Sequence, residues 1–565
     1  MTQQSTIDKN ALHKRWGALK NERASWLYHW AEITNYLTPR NGRYFPQDRN
    51  RGMRRHNAIF DSTGTKALNT LAAGMMAGMT SPARPWFRLT LADQDLMRYQ
   101  PVKVWTDEVT KTVLRIFHKG NTYRALHGLY KELGAFGTAA TTLLDDHTDV
   151  VRHYSLTAGE FCLAQNWRGT VCTMYREFQK TVGEVVKEFG LENCSQTVKG
   201  MYGSGNLDAW VTVIHAVEPR EDRDTTRMDA KNMPFKSVYF ELGGDKDTVL
   251  RESGYQRFPV LAPRWDLQGG DIYGNSPGME ALGDVKQLQQ QQLRKGQAID
   301  YMTKPPLQLP SGMKNREIDA LPGGISYLDN TNSSGTRNLF QVQLNLRELL
   351  EDIQDVRGRV NSCFYSDLFM MIANSANSRM TATEVAERQE EKLLMLGPVL
   401  ERLSDELLSP LVDTAFSRGL EAGVFPPPPP ELHGKEISIE FVSMLAQAQR
   451  AININATDRF VSSIGAVAQF KPDVLDKFDA DQWADIASDV LGVDPSMIVG
   501  GDKVAIVRKQ RADSAAQAQR SAIMNQQADT AAKLAKVPTQ SGASTAASDM
   551  INQFSGYGSP SPSQV

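Results

Sequence analysis

The sequence predicts an α+β fold built from several lobes. Three observations carry that reading. Apolar residues recur every three or four positions through 8–37 and again through 382–422, the spacing of one-sided helices. Between them, from residue 150 to 242, the period shortens to two, and turn residues separate the runs as they do between strands. A length of 565 residues also exceeds what a single core serves.

The first helix, 8–37, carries Leu12, Trp16, Leu19, Trp26, Trp30, Ile33 and Leu37 on one face, and its tryptophans read as packing residues. TPRNGRYFP ends it, and Arg49, Arg51, Arg54, Arg55 and His56 follow as an expected solvated loop. Next comes IFDSTGTKALNTLAAGMMAGMTSPARPWFRL, 59–89. Its STGTK lacks the G-x-x-x-x-G-K-[ST] spacing that lets backbone amides cradle a phosphate, so no ATP site is expected. Gly74 and Gly78 form GxxxG, but the apolar run is short and flanked by Lys66 and Arg84. Close helix packing in a soluble core is the expectation. Helices are predicted at 102–117 and 122–135, and DDHTD, 145–149, reads as an acidic turn. A hairpin turning at 166–169, a helix at 181–189 closed by Gly190, and strands at 210–217 and 237–242 follow.

Residues 276–302 form a glutamine-rich helix, 303–344 a Pro/Gly-rich insert, and 345–365 a second polar helix. On the latter, Glu348, Glu351, Asp352 and Asp355 fall at i, i+3, i+4 and i+7 and share a face. Helices that are polar nearly all round bridge domains or line solvated space. DLFMMIANSANSRM, 367–380, has an apolar head and a small polar tail, and reads as a mobile loop. The long helix 382–422 then opens on the capping-box pair Thr381 and Glu384. Its stripe is Leu393, Leu396, Leu400, Leu403, Leu407 and Leu411. Pro398 and Pro410 clash one turn back, at Leu394 and Glu406, and predict kinks. Five prolines, 426–430, end the helix. Ile437, Ile439 and Phe441 alternate as a returning strand. Further helices are expected to about 507, an exposed Ala/Gln-rich helix at 512–537, and disorder over 538–565.

Composition limits function. A net charge of −2 with 23 % charged residues argues against a tight duplex clamp, and leaves room for a surface past which DNA slides. The four cysteines have no C-x-x-C spacing, so neither a zinc site nor a disulfide framework is indicated, and a reducing compartment follows. No run reaches the 18 or so apolar residues that span a membrane, so no membrane partner is expected. Neither G-x-S-x-G, H-E-x-x-H nor a dinucleotide fingerprint occurs, and the histidines are scattered. The expectation is a structural or interaction protein, not an enzyme, with no cofactor and no metal.

Several strings together resemble the head-to-tail connector, or portal, family of short-tailed bacteriophages. They are the 59–89 segment, YREF at 175–178, HAVEPRED at 215–222, ESGYQRFPVLAPRWDLQGGDIYGNSPGMEAL at 252–282, and MTATEVAERQEE with LGPVLERLSDELLSPL within 380–411. They cover most of 11–425, in order. The resemblance implies a homo-oligomeric ring, usually a dodecamer, at one capsid vertex. Double-stranded DNA passes through its channel, and a terminase large subunit and then tail adaptor proteins dock on it. Capsid and scaffolding proteins surround it. It also implies host cytoplasm before assembly and the virion after it.

On that pattern 1–275 is the wing, 276–302 and 345–366 the stem helices, 303–344 the clip and 367–381 the channel loop. Residues 382–443 form the spoke and returning strand, 444–507 the crown, and 508–565 a tail outside the pattern. Asn374, Asn377 and Arg379 would touch phosphates from the loop. Lys314, Arg316, Glu317 and Asp319 would dock terminase and tail on the clip. Glu348, Asp352 and Asp355 would either repel phosphate from the channel wall or pair neighbouring subunits. The alternative reading is a non-phage structural scaffold or adaptor ring.

Overall fold

The structure is a computed structural model. It describes residues 8–44, most of 58–303, the pairs 307–308 and 337–338, residues 346–374, most of 396–441, scattered positions between 460 and 499, and 501–534. The chain divides into two compact units, 1–92 with 105–478, and 93–104 with 479–565.

In the first unit, helix α1 (Lys9–Tyr36) starts where the Asp8 carboxylate accepts the Asn10 amide at 2.9 Å. Its apolar stripe lies on a five-stranded antiparallel sheet. The strands, in spatial order, are β4 (Phe161–Gln165), β5 (Val171–Thr181), β6 (Trp210–Pro219), β7 (Phe235–Glu241) and β8 (Arg251–Tyr255). Leu12, Trp16 and Leu19 close over Cys162, Tyr175, Ile214, Val238 and Phe240. On the opposite face, α5 (Val182–Phe189) and α6 (Gln196–Gly203) bury Val182, Val185, Phe189 and Val198 against Val213 and Leu250. The predicted Thr181 start of α5 carries a full capping box with Glu184.

A smaller sheet orders β3 (Val150–Leu156), β2 (Ala140–Asp146) and β9 (Val260–Leu261). Strand β2 escaped the sequence reading because its first four residues are buried and show no alternation. Below it, α2 (Thr63–Met79) packs on α4 (Thr122–Phe136), and Gly134 admits Leu68 and Leu71 to distances that a Cβ would forbid. Gly137 ends α4 at φ +74°, with the Gly274 carbonyl where a side chain would stand. Trp30, fully buried, donates to the Phe136 carbonyl at 3.0 Å and meets Tyr273 edge-on. Asp146 accepts the Thr148 amide at 2.8 Å in the expected acidic turn. Helix α3 (Gln100–Lys119) lends Thr110 to the Leu89 amide of β1 (Phe87–Leu91). The returning strand β12 (Ile437–Phe441) pairs antiparallel with β1, Phe87 opposite Phe441.

The glutamine-rich helix divides at its start, into α7 (Pro277–Glu280), capped by Ser276, and α8 (Leu282–Thr303). The insert is closed at its base by β10 (Leu307–Gln308) against β11 (Arg337–Asn338), and α9 (Leu346–Cys363) follows. The segment expected as a loop from Asp367 instead begins as helix α10 (Ser366–Asn374). Its apolar head supplies the reason. Leu368 and Phe369 are buried, and the Phe369 ring lies where a Cβ on Gly74 would have to be. Gly74 alone makes that close approach, since Gly78 has open space around it.

The long helix, α11, is helical over 396–403, makes a π turn at Ser404–Leu408 and continues as Ser409–Glu421. The disturbance predicted by Pro410 takes this form. The Ser409 amide reaches back to the Ser404 carbonyl, an i to i−5 bond, immediately before the proline that lacks an amide. Leu396, Leu403, Leu407 and Leu411 are buried as expected. Leu393, Leu394 and the capping pair Thr381 and Glu384 lie outside the described residues, as do Arg49 to His56. Glu406, in the π turn, takes the buried Arg264, whose Nε lies 3.1 Å from its carboxylate.

In the second unit, α12 (Gly501–Leu534) is one unbroken helix where two were expected, since Arg508 to Ala512 contains only helix formers. Arg508 pairs with Asp481 at 2.6 Å. Residues 538–565, expected to be disordered, lie outside the described residues.

Candidate functional site

The two polar helices, α8 and α9, pack on one another and on the start of α2. Ile353, Val356 and Val360 form the buried stripe of α9, and Leu282, Val285 and Leu288 that of α8. So narrow an apolar seam leaves the fit to polar groups, and the glutamines supply them. Gln289, 3 % exposed, accepts the Phe60 and Asp61 amides at 2.6 and 2.7 Å and donates to the Asp61 carbonyl at 3.0 Å. One side-chain amide thereby satisfies both polarities of the backbone entering α2.

The Asp61 carboxylate completes the joint. One oxygen caps α2 by accepting the Thr63 amide at 2.8 Å and its hydroxyl at 2.5 Å. The other accepts from Arg357 Nη2 of α9 at 2.7 Å and from Gln292 Nε2 of α8 at 3.0 Å. Burial alone would raise the Asp61 pKa, but the hydrogen bonds from Thr63 and Arg357 outweigh it and hold the group below its ordinary value. The STGTK stretch thus opens a helix whose first amide is already occupied by a carboxylate of the same chain.

The acids singled out on α9 do share a face, and much of that face is matched within the chain. Asp352 accepts a hydrogen bond from Gln291 of α8. Asp355 lies 3.5 Å from Arg359, which also reaches Asp284 of α8 at 3.3 Å. Arg347 and Glu351 pair at 3.0 Å. Glu348 is exposed in the first turn, where the helix dipole favours an anion. Asn374 is the last residue of α10. Asn377 and Arg379 lie outside the described residues, as do Lys314, Arg316, Glu317 and Asp319.

Asp61, Gln289, Gln292 and Arg357 were missed by reading the sequence. The Gln run from 289 was the available signal, but a glutamine is as compatible with solvent as with a buried joint. Among the described residues no group of three His, Cys, Asp or Glu side chains is placed to hold a metal ion. No described helix is long and apolar enough to cross a membrane.

Comparison with known proteins identifies the family. The model described as bacteriophage head to tail connecting protein matches residues 9–499. The probable portal protein of Bordetella phage BPP-1 is 59 % identical over 551 residues, 97 % of this chain and 99 % of that one. The portal protein of Salmonella phage epsilon15 is 45 % identical over 534 residues, 94 % and 96 % of the two chains. Among solved structures, a chain from the neck of an empty GTA particle aligns with 75 % of this chain and 92 % of its own, at 12 % identity. Its TM-score of 0.35 is too low to define a shared architecture. Matched from residue 9 to 499 and aligned to near full length with a phage portal protein, this chain belongs to the family of bacteriophage head-to-tail connecting, or portal, proteins.

Proposed function

We propose that this chain is the subunit of a portal ring through which phage DNA enters the capsid and later leaves it. The observation that carries the reading is the 59 % identity to a probable portal protein across 97 % of the chain. In that reading 1–275 and 382–443 make the wing, 276–302 and 345–366 the stem, 303–344 the clip, 367–381 the channel loop and 444–507 the crown.

The local physics supports it. A stem must keep its direction while DNA moves beside it, and the Asp61 joint ties both stem helices to the wing through directional bonds. A lumen must not grip phosphate, and the overall charge of −2 supplies no cationic clamp. Asp352 and Asp355 are engaged inside the chain by Gln291 and Arg359, which leaves these stem acids less free to act on passing DNA. The ring itself performs no chemistry in this scheme. A terminase large subunit supplies the energy, docks on the clip through Lys314, Arg316, Glu317 and Asp319, and gives way to tail adaptor proteins. Asn374, Asn377 and Arg379 touch phosphate briefly and resist backward slip.

The test is complementation of heads assembled without this chain. Heads lacking it are expected to hold no DNA, and supplying it restores filling. Heads that package full genomes in its absence would overturn the reading.

A further inference from the structure

The β4–β5 hairpin ends in Asn166-Trp167-Arg168-Gly169, and Trp167 is 87 % exposed there. The turn is not loose. Asn166 Oδ1 accepts the Arg168 and Thr170 amides at 2.9 and 3.0 Å, and the Gly169 carbonyl accepts from buried Arg264 Nη2 at 2.7 Å. The Arg168 guanidinium lies over the indole, 4.7 Å from its centroid. A large aromatic side chain held in place before binding loses little entropy when it docks, which is the profile of an interface anchor.

A cleft of about 900 Å³ opens along the second half of the same strand. Its walls mix cations lying on rings with the carboxylates of Asp145, Glu160 and Glu177, and Arg176 is bonded to Glu160 at 2.9 Å. Arg176 stands 4.1 Å from the Tyr154 centroid and 4.3 Å from that of Phe178, and Arg251 stands 4.8 Å from that of Tyr239. Tyr154 remains 41 % exposed within this stack. Glu184 and Glu188, both exposed on α5, stand at the rim, Glu188 paired with Lys180 and Glu184 accepting the Thr181 amide, each with acceptor capacity left over. The Arg176 guanidinium is already covered by two rings, so the surface offered to a tryptophan is the exposed Tyr154 ring, and the rim carboxylates suit an adjoining arginine.

Strand β5 runs from Val171 to Thr181, and Arg176 lies roughly 17 Å beyond Val171 along it, so the knob does not reach the cleft of its own chain. A ring requires two different, complementary patches on every subunit, one at each side. We propose that Trp167 and Arg168 of one copy seat in the cleft of the next copy, with the indole against the exposed Tyr154 ring and the guanidinium at Glu184 and Glu188. The proposal rests on the portal reading, which calls for a ring.

The experiment uses the full chain with Arg168→Cys and Glu184→Cys combined, treated with a short bifunctional thiol reagent. Each single variant controls for Cys172 and Cys363, the partly exposed native thiols. The double variant alone should give a ladder of covalent multimers. In parallel, Trp167→Ala should raise the protein concentration at half-assembly at least about tenfold, with Trp167→Phe intermediate. Assembly of Trp167→Ala at the wild-type concentration overturns the contact and leaves the portal reading standing. A shift without a ladder from assembled double-variant rings overturns the cleft as acceptor. Should the double variant not assemble, the Trp167→Ala titration decides. A wild-type chain that never forms rings defeats the portal reading itself.

Discussion

The five-stranded sheet and the α8–α9 pair are held together by different forces. The sheet buries Tyr175, Ile214, Val238 and Phe240 under α1, and its other face carries Val213 under α5 and α6. That attraction follows area, has little direction and is indifferent to pH and salt. The helix pair has a thin apolar seam and is fixed by Gln289, Gln292 and Arg357 on one aspartate and its backbone. Its energy sits in a few bonds that depend on angle and charge. A lobe of the first kind tolerates small shifts and keeps its shape. One of the second kind keeps its aim while the bonds hold, and can be released by one protonation.

The largest expected effect is in the sheet. Phe240→Ala removes a ring that is 0 % exposed and should cost about 3–5 kcal/mol. Denaturant unfolding should show the same loss at pH 5 and pH 8, and in low and high salt. A loss that varied strongly with salt would blur the distinction between the two regions.

Asp61→Asn comes next, at about 2–4 kcal/mol near neutral pH, because it leaves Arg357 facing a neutral group in a largely buried joint. Its effect should be local, with faster amide exchange across Leu282–Thr303 and Leu346–Cys363 and unchanged exchange in β5 to β7. The pH dependence has a definite sign. The folded pKa of Asp61 is held below its ordinary 3.8, so the joint contributes fully above that value and weakens as pH falls through it. Wild type and variant should therefore begin to converge only as pH falls below 3.8, and meet once it passes the lower folded value. Uniformly raised exchange, sheet included, would show that the joint is not a separate element.

Glu132 on α4 shows that a buried acid can also oppose folding. Burial pushes its pKa up to about 7, despite bonds from Thr157, Ala158 and Asn41. The folded chain then holds a proton that the unfolded chain releases, so stability falls as pH rises from about 4.5 to about 7. Glu132→Gln should flatten that slope in thermal unfolding. An unchanged slope would assign the titration to another group.

What the sequence revealed follows from the range of the forces involved. Helix α1, the 166–169 turn and the Thr181 cap are set by residues within a few positions of one another, and each was legible. The β1–β12 pairing joins Phe87 to Phe441, and no local pattern names a partner so distant. The Asp61 joint is hidden for the same reason, with Gln289 228 positions away from the amide it accepts. The acids of α9 were correctly placed on one face by their spacing. Their engagement by Gln291 and Arg359 could not be read, because it depends on how α8 lies beside them. Pro410 announced a disturbance, but not that it would take the form of a π turn whose Glu406 meets Arg264 from a segment 142 positions away.

The central claim is that this chain closes into a ring around a channel. Native mass measurement of the purified full chain, with direct imaging of the same sample, tests it. A single closed species of about twelve chains with an axial hole is predicted. A monomer that persists at every concentration and salt would contradict it.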